Sequence, residues 1–93
     1  MHFQKQDMEG SHYTWLDNNE KILYIGPPSR RSFDPFNGDQ VLFVINSYAV
    51  LIDNFSIGKG QQIERQLLYY LPTNLKSEIS VLNWLKTLEL PAP

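Results

Sequence analysis

The sequence predicts an α+β domain: an antiparallel β-meander of three to five strands followed by two C-terminal helices packed on one face. Three observations carry that prediction. Residues 41–52 hold two apolar runs, Val-Leu-Phe-Val-Ile and Tyr-Ala-Val-Leu-Ile, separated only by Asn46 and Ser47. Two residues is the shortest usual link between antiparallel strands. Residues 13–16 and 22–25 are rich in β-branched and aromatic side chains, as strands are. Beyond Gly58-Lys59-Gly60 the apolar spacing becomes helical. Strands first and helices last is an α+β order.

Residues 1–10 are polar apart from Phe3 and Met8 and show no periodicity, so they read as a frayed lead-in. The runs at 13–16 and 22–25 flank Asp17-Asn18-Asn19-Glu20, a cluster of turn formers, which makes a first hairpin. Gly26-Pro27-Pro28-Ser29 ends it, because neither proline can donate to a ladder. Asn37-Gly38 is a strong hairpin cue. Residues 30–36 are therefore predicted as a short strand against 40–45, and Pro35 confines it to an edge. The central hairpin pairs 41–45 with 48–55.

Gly58-Lys59-Gly60 closes the β region. Ile63, Leu67, Tyr70 and Leu71 share one face of the first helix, which Pro72 terminates. Thr73 or Asn74 caps a second helix whose apolar face is Leu75, Ile79, Leu82, Leu85 and Leu88. Leu90-Pro91-Ala92-Pro93 cannot continue it. No repeat, low-complexity tract or linker divides the 93 residues, and one domain of this length buries about 65% of its unfolded surface.

Composition narrows the classes of function. The chain has no cysteine, which removes disulfides, thiolate nucleophiles and cysteine-based zinc sites and favours a reducing, cytoplasmic home. The longest apolar run is 41–45, far short of the roughly 20 residues of a spanning helix, so no membrane partner is expected. The N-terminal residues lack the apolar core of a signal peptide. A net charge of −2 with interspersed signs argues against a dedicated nucleic-acid binder.

Two apolar faces exceed what the predicted fold can hide. The central hairpin barely alternates, so both of its faces want cover, yet two helices shield only one. On the second helix Val81, Trp84 and Leu88 widen the apolar stripe beyond a core-facing arc. Surplus apolar surface marks an interaction site. The interface candidates are Trp84, Val81, Leu88 and Tyr69, together with Phe36 in the turn-rich segment 26–39.

The chemical signatures are weaker. Gly58-Lys59-Gly60 before a helix is a poor match to a phosphate loop, with a weak anion site on the backbone amides of Gly60–Gln62, beside Lys59, as its sharper reading. Arg30 and Arg31 beside Phe33 and Phe36 resemble the charge-plus-ring pattern of single-stranded nucleic-acid binding, but Asp34 and Asp39 stand close by. His2 and His12 lack metal-ligand spacing, so no metal or cofactor is expected. Asp17, Glu20, Asp34 and Asp39 occupy turns, where carboxylates cap amides, and Asp53 ends a strand. No serine sits in a nucleophile elbow. These residues predict a small cytoplasmic protein-interaction module without catalysis, whose partner is another protein or a second copy. A nucleic-acid-associated regulator using Arg30, Arg31 and Phe33 is the alternative, and a small-ligand protein or enzyme the next.

Overall fold

The structure is a computed structural model, and it describes residues 3–14, 30–52 and 55–88. Within them lie a short 3₁₀ turn at Lys5–Asp7 and the helices α1 (Gly38–Ala49), α2 (Ile57–Tyr69) and α3 (Glu78–Lys86). Extended pairing among the described residues is limited to two isolated bridges, Thr14 with Asn37 and Ser32 with Ser77. The α+β prediction is overturned: the described part of the chain is all-helical, with no β-meander. The first predicted hairpin lies outside the described residues except for Tyr13 and Thr14. His2, Asp17, Glu20 and Asp53 lie outside them as well.

The largest correction falls on residues 41–52. They form α1, not a hairpin, and α1 is the central helix, packed on both α2 and α3. Its buried side chains are Val41, Val44, Ile45, Tyr48 and Ala49. That is an i, i+3, i+4, i+7, i+8 spacing, the signature of one helical face. Leu42 and Phe43 also pack against the core, so a helix surrounded on several sides reads as an unbroken apolar run. The supposed turn residues act inside the helix. Ser47 Oγ donates to Phe43 O at 2.8 Å and Asn46 Nδ2 to Leu42 O at 3.1 Å, each bonding back one turn. Asn37, taken as a hairpin cue, is the N-cap: its side chain accepts from Gln40 N, filling one of the orphan amides of the first turn.

The two later helices exist with shifted boundaries. Gly58-Lys59-Gly60 does not close a β region but forms the first turn of α2, which Ser56 caps by accepting from Lys59 N at 3.1 Å. Ile63 and Leu67 face inward as expected, whereas Tyr70 is 66% exposed. The cap of α3 is Ser77, not Thr73 or Asn74, in a reciprocal box with Ser80. The inward face of α3 is therefore Glu78, Val81, Leu82 and Leu85, and Ile79 is turned outward. A buried acid at Glu78 displaced the apolar phase that the leucines suggested.

The non-helical segments are tied to this bundle at defined points. Phe3 has no exposed surface and meets Phe55 edge-on at 6.1 Å. Asn46 exchanges two bonds with the Phe3 backbone, accepting from its N at 2.8 Å and donating to its O at 2.9 Å, so an amide side chain does what a neighbouring strand would. Thr14 bridges to the start of α1, with Thr14 N donating to Phe36 O and Gly38 N to Thr14 O. Residues 31–33 lie along the approach to α3, with Phe33 N donating to Lys76 O at 2.8 Å and Glu78 N to Arg31 O at 2.9 Å.

Candidate functional site

Two fully buried carboxylates fix the segments that frame the candidate site. Glu64 on α2 accepts from Glu9 N at 2.8 Å, Gly10 N at 3.0 Å and the Tyr13 hydroxyl at 2.6 Å. Glu78 on α3 accepts from Arg31 Nε and Nη2 at 2.9 and 2.6 Å and from Gln40 Nε2 at 2.8 Å. A buried charge is tolerated only when donors of this kind surround it. Burial, and then the bond to Glu64, push the Tyr13 phenol well above its ordinary range. The proton therefore stays on Tyr13, and the carboxylate remains its acceptor.

Between these clamps a turn throws one aromatic ring outward. Phe36 N donates to Asp34 Oδ1 at 2.9 Å and Asn37 N to Asp34 O at 3.0 Å. Pro35 supplies the fixed φ that such a turn favours. The result leaves Phe36 61% exposed, with His12 edge-on against it at 5.6 Å. The facing wall comes from the end of α2. Pro72 cannot continue that helix, and Leu75 N turns back to donate to Pro72 O at 3.2 Å.

The space between the two walls is a groove of about 320 Å³. Its floor is Phe33 and Leu67, both buried, and its half-buried sides are Leu68, Leu71 and Leu75. Exposed His12, Phe36, Thr73 and Lys76 form its rim. This volume is at the small end of ligand pockets, and it is lined mainly by apolar side chains. A second cleft, of about 270 Å³, holds Glu64, Tyr69 and the ion pair of Arg65 with Glu9, and it shares Leu68 with the groove. The two clefts adjoin at Leu68.

The structure sorts the sequence-predicted residues. Phe36 and Tyr69, the latter 73% exposed, stand one at each cleft. Val81 has no exposed surface and belongs to the core, while Trp84 and Leu88 are half-buried against that core. None of these three lines either cleft. Arg30 and Arg31 diverge in role: Arg30 is exposed, whereas Arg31 is bound to Glu78 and lies 5.7 Å over the Phe43 ring. Phe33 is buried, so its ring is not offered to a base. Lys59 sits in the first turn of α2 and its backbone amide serves the Ser56 cap.

Sequence reasoning missed Leu68, Leu71, Lys76 and His12 as neighbours of Phe36. The one signal was Pro72, which ends α2 and so places a turn opposite the Pro35 turn. Among the described residues no group of three or more His, Asp and Glu side chains could hold a metal ion, and no helix is long and apolar enough to cross a membrane. Val50 and Leu51, just after α1, and Ile57, the first residue of α2, are also exposed apolar side chains. Comparison with protein-family models, curated protein sequences and solved structures finds no match for this chain.

Proposed function

We propose that this chain is a protein-interaction module that holds a segment of another polypeptide in the groove between the Pro35 turn and the end of α2. The observation that carries this reading is an open apolar groove with Phe36 61% exposed at its mouth. Burying one large apolar side chain there is worth about 1.5–3 kcal/mol, and aromatic rings at such a mouth are the usual anchors of an interface. A cytoplasmic address belongs to the same proposal, supported by the cysteine-free composition, which suits a reducing compartment.

The competing readings have less support. Nucleic-acid contact through Arg30, Arg31 and Phe33 would need Arg31 to leave Glu78 and Phe33 to leave the core. Catalysis by Glu64 or Glu78 would need a carboxylate already occupied by protein donors.

The test is selection of random peptides on the full chain, followed by calorimetry with the selected peptides. Phe36→Ala is expected to weaken binding at least about tenfold, the loss of one interface anchor. Its unfolding midpoint should stay near that of the parent, because the ring is largely in solvent. If no peptide is selected, or if Phe36→Ala binds as well as the parent, the reading is wrong.

A further inference from the structure

Among the described residues that line the groove, Lys76 is the one Lys or Arg, and no Asp or Glu is among them. Lys76 is exposed, while its backbone oxygen is held by Phe33 N at 2.8 Å, so its ammonium is carried from a fixed point on the rim. Across Leu68 the second cleft holds Arg65, paired with Glu9 through two bonds, together with the buried Glu64, so acids outnumber the one arginine there. A segment lying in the groove itself meets apolar walls with a single ammonium at the rim. Resting on the polypeptide-binding reading above, we propose that the partner is an acidic, apolar-anchored peptide: large apolar side chains seated on Leu67 and Leu68, with an aspartate or glutamate placed toward Lys76.

Charge complementarity selects this occupant. A basic segment would set like charge against Lys76 beside apolar walls, where water screens it poorly. Arg65 is already paired with Glu9 and lies in the same cleft as Glu64, so that cleft does not favour an incoming acid and Lys76 is the determinant. A rim charge tunes choice of partner more than raw affinity. The expected preference for acidic over neutral flanks is about two- to fivefold, the range of an exposed ion pair.

The experiment uses short peptides carrying two leucines and a phenylalanine, flanked by aspartates, asparagines or lysines. Each is titrated by calorimetry into the full chain, Lys76→Gln and Lys76→Glu. The proposal expects the aspartate set to bind the parent best and to lose that lead in Lys76→Gln. In Lys76→Glu the order should reverse in favour of the lysine set. The aspartate lead should also shrink as salt rises from about 0.05 to 0.5 M.

Equal binding of aspartate and asparagine sets to the parent, with both weakened by Phe36→Ala, would overturn the acidic partner while leaving the interaction module standing. Failure of every set to bind would overturn both. Displacement of the aspartate set by decanoate at lower concentration would identify a small apolar acid as the occupant and overturn the polypeptide partner. Self-association abolished by Phe36→Ala would assign the groove to a second copy of this chain, with the same consequence.

Discussion

Tyr13 carries two duties. Its ring packs against the core, and its hydroxyl donates to Glu64 at 2.6 Å. Its pKa is raised in the folded chain, first by burial and then by that bond, whereas an unfolded tyrosine loses its proton near pH ~10. A group with a raised folded pKa contributes its full stability below the unfolded value and loses it as pH climbs toward the folded one. Tyr13→Phe should therefore be less stable than the parent at neutral pH. Above about pH 10 that gap should narrow by up to about 1.4 kcal/mol per pH unit, less where water reaches the phenol. Urea unfolding of both chains from about pH 8 to pH 11 checks it; a gap that stays constant would mean the phenol is not held in this way. The sequence shows Tyr13 and Glu64 fifty-one positions apart, and neither spacing nor residue type announces the pair. Glu64 and Glu78 read as surface acids because charged residues normally are, and only the donors gathered around them make their burial tolerable.

Among the elements, α2 shows how a residue chosen for closeness replaces one chosen for helix propensity. Gly60 lies inside the first turns of α2, where glycine ordinarily costs stability relative to alanine. A Cβ at that position would overlap the ring of Phe3, which is fully buried and cannot move away, and would also crowd Phe55. Gly60→Ala should accordingly destabilise by about 1–3 kcal/mol. In a Phe3→Ala background the same change should stabilise by up to about 1 kcal/mol, because the helix-propensity gain is then opposed only by the contact with Phe55. The sign reversal is read from denaturant midpoints of the four chains. A stabilising Gly60→Ala in the parent would show that Phe3 does not lie on α2. Residues 1–10 read as a lead-in because two apolar side chains, Phe3 and Met8, among polar residues set no period. Pro72 stops α2 wherever it is placed, whereas the N-caps were less legible: Thr73 and Asn74 are capping residues as good as Ser77, and Asn37 is equally good as a turn former.

For the molecule as a whole, the decisive fact is that α1 stands between α2 and α3. A helix of its length is marginal alone in water, and its Val, Ile, Phe and Tyr content favours extended structure on a half-buried surface. A peptide of residues 37–52 should therefore show little helix by circular dichroism and a tendency to aggregate, while the full chain shows a helical spectrum dominated by α1, α2 and α3. A strongly helical isolated peptide would mean that local preference, not packing, makes α1. Apolar surface predicted to be surplus on a sheet is largely consumed by surrounding α1, and Val81 joins the core in the process. Among the described residues the exposed apolar side chains include Val50 and Leu51 just after α1, Ile57, Tyr70 and Ile79, and, at the two clefts, Phe36 and Tyr69. The interaction reading thus stands on residues that packing left over, and Trp84 is no longer its centre.

The chain by itself determined the absence of cysteine and a pair of helices divided at Pro72, because a proline acts on its own turn; the capping serines Ser56 and Ser77 were settled by the structure. It did not determine whether residues 41–52 form strands or a helix. An apolar segment to be covered on every side satisfies either period, and the choice falls to whichever neighbours arrive to cover it. The two buried acids, the phenylalanine held by Asn46 and the groove were decided in the same way, by contacts between residues far apart along the chain, whose energies exist only once the helices have docked.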